Sequence, residues 1–206
     1  MHAPTLNSLG LPSLYQRLHS QQGLTFDIGP FRVGVKSRLP AIGAHVADMY
    51  GEYRISDSDF ADLHFSVDAP LNLRALWRKQ VNFKFDDESP FKPLPYAQAR
   101  PFFEWGLNWC IATTAHQYLI IHAAVVAKHG CCALIPGHPG AGKSTLCAAL
   151  VAAGWRLLSD EMALIAMDSG LIWPVPRPIS LKNASIDIIR TRNPEIFLGP
   201  PVTDTL

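Results

Sequence analysis

Along the chain the spacing of apolar residues changes twice. "LTFDIGPFRVGV" (Leu24 to Val35) alternates apolar and polar positions about Gly29-Pro30, which predicts a β-hairpin because successive strand side chains point to opposite faces. "DLHFSVDA" (Asp62 to Ala69) and "VNFKF" (Val81 to Phe85) repeat that alternation, so the first hundred residues read as sheet-rich. Proline and charge then gather in "DDESPFKPLPYAQARP" (Asp86 to Pro101), the pattern of a long loop or a boundary. Beyond it the period lengthens. Phe103, Leu107, Cys110 and Ile111 fall near helical spacing between Phe102 and His116, with Trp105 and Trp109 broadening the face.

"YLIIHAAVVA" (Tyr118 to Ala127) is continuously apolar and β-branched, which predicts a buried strand, and Lys128-His129-Gly130 turns it into a second strand, "CCALI". After a glycine-rich stretch, Lys143 to Ala153 is an Ala/Leu-rich helical segment stopped by Gly154. "WRLLS" then returns as a buried strand ending at Asp160-Glu161. Strand, loop, helix, strand is an α/β order. The expected organisation is a β-rich region over 1–100 and an α/β domain over 101–206.

The chain has 206 residues, 48% of them hydrophobic, enough for one generous domain or two small ones. Its formal net charge is +1, from 18 basic and 17 acidic residues, and no window carries a Lys/Arg run, which argues against nucleic acid and anionic membranes as partners. The start, "MHAPTLNSLGLPSLYQRL", lacks a basic segment followed by an apolar one, and no stretch has the length of a membrane span, so a cytoplasmic protein is expected. Cys110, Cys131, Cys132 and Cys147 have no C-x-x-C spacing; three of the four read as reduced core residues. The five tryptophans read as core packing.

Gly137-His138-Pro139-Gly140-Ala141-Gly142-Lys143-Ser144, followed by Thr145, fits G-x-x-x-x-G-K-[ST] between a predicted strand and a predicted helix. The chemistry requires those residue types. Glycines let backbone N–H groups converge on phosphate oxygens, Lys143 adds a mobile cation, the Ser144 hydroxyl can ligate Mg²⁺, and the helix start points its positive dipole end at the anion. Asp160 and Glu161 close a strand that would end at the same sheet edge, where a phosphate-bound metal needs an acidic group. A strand-end acidic pair also occurs as a solvated turn. His122, alone in "LIIHAAVV", is either a satisfied core histidine or a site residue.

In this order, strand histidine His122, second strand, P-loop, helix ending at Gly154 and acidic pair Asp160-Glu161, the chain resembles HPr kinase/phosphorylase. "PGHPGAGKSTLCAALVAAGWRLLSDE" followed by "PVPRPISLKNASIDII" is more similar to the HPr-kinase-related proteins, often called HprK-related kinase A. The likeness runs from about Tyr118 to the C-terminus. It implies a P-loop kinase core of the HPr kinase/phosphoenolpyruvate carboxykinase-like type. ATP and Mg²⁺ would be cofactors, Lys143 would lie on the β/γ-phosphates, Ser144 and Glu161 on the metal, Asp160 would be the general base and His122 would sit near the transferred phosphate or the acid pair. The implied partners are a protein or peptide phospho-acceptor, either an HPr-like protein or a small modified peptide, and further copies of the chain in a homo-oligomer.

Two departures from the family stand out. Where the HPr enzyme carries a metal-binding glutamate in L-E-I-R-G, the nearest match is Ile179-Ser180-Leu181-Lys182-Asn183, with Ser180 in place of the carboxylate. Arg177 and Lys182 are then either phosphate-facing or surface charges. "NPEIFLGPPVTDTL" ends without the family's further sheet and helices, so the resemblance implies a domain lacking its C-terminal part. Two functions follow: ATP-dependent transfer of the γ-phosphoryl group to a serine hydroxyl, or nucleotide binding by a sensor or scaffold without transfer.

Overall fold

A computed structural model describes residues 3–56, 60–70 and 77–201. The chain divides into two compact units, one reaching to Thr114 and joined by the residues from Pro200 on, the other Ala115–Gly199. Both mix helix and sheet, as the α/β expectation required of the second. No helix among the described residues is long and apolar enough to cross a membrane.

In the first unit a 3-10 turn at Leu6–Leu9 leads into α1 (Gly10–His19), then β1 (Leu24–Ile28), β2 (Phe31–Lys36), α2 (Pro40–Tyr50), β3 (Leu63–Asp68), β4 (Gln80–Phe85), β5 (Leu94–Pro95) and α3 (Ala99–Thr114). The strands form one sheet in the order β1-β2-β3-β4-β5, with β2 and β3 parallel and α2 crossing between them. The expected hairpin is present, Ile28 opposite Phe31 across a turn in which Gly29 takes a φ of 58°, open to glycine without a Cβ penalty. Alternation revealed the strands and left α1 and α2 unread.

The proline-rich stretch after β4 is not a boundary. It folds back, β5 pairs with β4, and α3 buries Phe102, Phe103, Gly106, Leu107, Cys110 and Ile111 within the same unit. Phe103 packs 5.2 Å from Phe65, centroid to centroid. A Cβ at Gly106 would strike the Phe83 ring, so the glycine sets how closely α3 lies on the sheet. The helix expected to open the second region therefore closes the first, and the division falls after Thr114 instead of near residue 100.

The second unit contains β6 (Tyr118–Ile121), β7 (Ala123–Lys128), β8 (Cys131–Pro136), α4 (Lys143–Ala152), β9 (Arg156–Ser159), β10 (Ala163–Ala166), β11 (Ile172–Trp173) and α5 (Ala184–Arg192). They build two three-stranded antiparallel sheets, ordered β8-β7-β9 and β11-β10-β6. The single strand expected over Tyr118 to Ala127 is broken at His122. Its two halves serve different sheets, and the neighbouring chain breaks at the same level, between Ser159 at the end of β9 and Ala163 at the start of β10.

Local chemistry explains the remaining joints. His129 (φ 52°) and Gly130 (φ 78°) form a two-residue turn with both central residues left-handed, the type that matches strand twist in tight hairpins. Gly154 (φ 84°) ends α4: its N–H donates to Val151 O and the Trp155 N–H to Leu150 O, each 3.0 Å, closing the helix's orphan carbonyls. Cys147 of α4 packs with Ala124 and Val126 of β7, flanked by Ile135, Leu150, Val151, Trp155, Leu157 and Ile179.

Two side-chain expectations fail. Cys110 and Cys147 are buried free thiols, but Cys131 and Cys132 are exposed, because β8 is an edge strand. Trp77 is 93% exposed, and Trp105 and Trp173 are exposed as well, so the tryptophans are not uniformly core. After α5 the described tail has no further helix or strand, and residues 202–206 lie outside the described residues.

Candidate phosphate-binding site

β8 and β9 are both antiparallel to β7 and hence parallel to each other. Their C-terminal ends and the start of β7 share one edge of the sheet: Pro136 pairs with Ala123, and Ser159 with Val125. Three sequence-predicted groups meet there by topology. The loop 137–142 leaves β8, His122 immediately precedes β7, and Asp160-Glu161 follows β9.

The loop is open. Gly137 to Gly142 are all exposed, and Gly140 (φ 80°) and Gly142 (φ 86°) are left-handed with nothing near an added Cβ, so backbone conformation, not space, demands glycine there. Gly142 is the N-cap of α4 and no side chain caps the helix, leaving first-turn N–H groups for an anion. Lys143 Nζ donates to the carbonyls of Gly137 (2.8 Å) and His138 (3.3 Å), which folds the ammonium back across its own loop. Ser144 and Thr145, the next residues of α4, are half-buried.

β9 ends because the Ser159 hydroxyl accepts the N–H groups of Met162 (3.1 Å) and Glu161 (3.4 Å), turning the acidic pair out of the strand. Asp160 is 3% exposed. Burial pushes its carboxyl up to about 6, against the Ser180 N–H that donates to Oδ2 at 3.0 Å and the Ser144 hydroxyl. The Glu161 charge raises it further and the Arg177 charge lowers it. Ser144 favours the charged form without closing a hydrogen bond on Oδ1, which is buried and unpartnered. An unsatisfied buried carboxylate oxygen is rare and points to a missing ligand or ion.

His122 is not a core residue. Its side chain is 58% exposed, with Nδ1 3.8 Å from Glu161 Oε2. Arg177, by contrast, is buried, while Lys182 is exposed. Ser180 meets the site through its backbone N–H, so its side chain does not stand where the family's glutamate would. The reading of the sequence missed Ser159; a serine directly before an acidic pair at a strand end was the available signal.

The donors suit a hard cation. Ser144, Asp160 and Glu161 offer oxygen, as Mg²⁺ prefers, and Mg²⁺ commonly binds through one or two carboxylates plus phosphate oxygens. Among the described residues no group of three or more His, Cys, Asp or Glu side chains is arranged to hold a metal, so a cation here needs the phosphate as a co-ligand. No protein-family model, no curated protein and no solved structure matches this chain.

Proposed function

We propose that the second unit binds the triphosphate of ATP at Gly137 to Thr145 and transfers the γ-phosphoryl group to a serine hydroxyl of a protein or peptide, as an HPr-kinase-like serine kinase. The observation that carries this reading is the buried Asp160, with one unpartnered oxygen, on the same sheet edge as the glycine loop and the N-terminus of α4. Backbone N–H groups of the loop would cradle the β- and γ-phosphates, and Lys143 would exchange its carbonyl partners for phosphate oxygens. In the transfer, the acceptor Oγ–P bond forms as the bond to the β–γ bridging oxygen breaks, ADP leaves, and the hydroxyl proton passes to the Asp160 carboxylate. A carboxyl pushed up to about 6 is matched to that task near neutral pH. His122 beside Glu161 would add a donor near the developing charge. Mg²⁺, with Ser144, Glu161 and Asp160 in reach as donors, would supply charge neutralisation.

One observation favours a second reading. Asp160 is buried and tethered by Ser180, so an acceptor hydroxyl reaches it only if the wall around it opens. A nucleotide-binding sensor or scaffold needs no such access. A radiolabelled γ-phosphate assay against serine peptides decides between them. Transfer that is lost in Asp160→Asn supports the kinase; saturable ATP binding with no labelled peptide leaves only the sensor; no binding at all removes both.

A further inference from the structure

Between β11 and α5 the chain reads Pro174-Val175-Pro176-Arg177-Pro178-Ile179-Ser180, proline at every second position. Each proline fixes its own φ and biases the residue before it to extended backbone, so this segment loses little entropy on ordering. It runs beside the end of β9: the Val175 N–H donates to Leu158 O at 2.8 Å, and the Ser180 N–H to Asp160 Oδ2 at 3.0 Å. The residues between prolines turn inward. Val175 is fully buried, Ile179 packs against the Ala124–Val126–Cys147 cluster, and Arg177 between them is only 5% exposed.

A guanidinium in an otherwise apolar row is costly to bury and needs a compensating charge. Asp160, which the next inward turn of the same segment already grips, feels the Arg177 charge. We propose that Pro174–Ser180 is a rigid strap that positions Asp160, with Arg177 as its buried counter-charge and the Ser180 N–H as its fixed donor, leaving Oδ1 as the carboxylate oxygen for a ligand. Arg177 and Ser180 are thus positioning residues acting through Asp160. That Asp160 serves as base rests on the kinase reading; the strap's hold on it does not.

A double-mutant cycle tests the hold without requiring any activity. Arg177→Met should lower the melting temperature at pH 8 by about 4 °C more in the native background than in Asp160→Asn, because only the former leaves a buried carboxylate without its cation. Arg177→Lys, which keeps the charge, should recover most of that difference. Failure of Arg177→Met to fold while the double variant folds supports the strap equally. Equal losses in both backgrounds, or failure to fold in both, would show that Arg177 acts independently of Asp160 and overturn the proposal. Labelled-phosphate transfer by the same proteins reports separately on the kinase reading: its absence in the native chain would remove the base and leave the coupling intact.

Discussion

Each unit buries one carboxylate side chain against its helices or strands, and the two are treated in opposite ways. In the first, Glu104 of α3 is closed: Tyr50 OH donates to Oε1 at 2.8 Å and Oε2 at 2.9 Å, and His45 Nε2 lies 2.7 Å from Oε1, tying α2 to α3. In the second, Asp160 has one oxygen held and the other bare. A completed network makes rigidity and offers nothing to a ligand. An incomplete one at an open glycine loop stores a cost that a ligand can relieve, which is the usual relation between stability and a binding site.

The comparison is broken most forcefully at Glu104. Glu104→Leu strands two buried donors and should lower the free energy of unfolding by about 3 to 4 kcal/mol in urea titration, with ATP binding by the folded fraction unchanged. A loss below about 1 kcal/mol would mean that the closed network is not structural.

Asp160 should respond with the opposite sign. Its folded-state value of about 6 lies above the ordinary 3.8, so the folded protein holds this proton more tightly than the unfolded chain. The contribution of the neutral acid is complete below about pH 4 and is lost as pH rises through 6, a change of about 3 kcal/mol. Asp160→Asn, which stays neutral, should therefore be about 1 to 3 kcal/mol more stable than the native chain at pH 8 and about equal to it at pH 4. The same titration should give native transfer activity an acid limb near pH 6, below which the base is protonated. A destabilised Asp160→Asn at pH 8 would place Asp160 with Glu104 as a structural group.

The thiols give the smallest effect. Cys131 and Cys132 are exposed on β8, whereas burial and the Asp160 charge push Cys147 up to about 12, and burial does the same for Cys110. An aromatic disulfide reagent at pH 8 should modify the first pair quickly and the second pair only on unfolding. Rapid labelling of Cys147 would show that α4 does not seal against β7.

What could be read from the sequence follows from how local each signal is. The glycine loop, the Gly29-Pro30 hairpin and the stop at Gly154 each depend on a few adjacent residues, and each stands where its pattern put it. The break at His122 carried no local mark, since an apolar β-branched run looks the same whether it serves one sheet or crosses between two. The burial of Arg177 was hidden for a related reason: an arginine among prolines has the composition of a surface loop, and only the fold brings it against β9. α2, "PAIGAHVADMY", is apolar on most sides and so gave no clear period. The proline-rich stretch before α3 looked like a linker because β5 has two residues, too few to show alternation.

Calorimetric titration of Mg·ATP into the native chain and into Lys143→Ala tests the central claim most directly. The Lys143 ammonium now rests on two loop carbonyls, so its removal leaves the glycine backbone and the fold in place while deleting the cation opposite the phosphates. Saturable binding by the native chain, weakened about 10- to 100-fold in a Lys143→Ala protein of unchanged melting temperature, is the expected result. Native protein that takes up no nucleotide, or a folded Lys143→Ala that binds it equally well, would contradict a phosphate site at this loop.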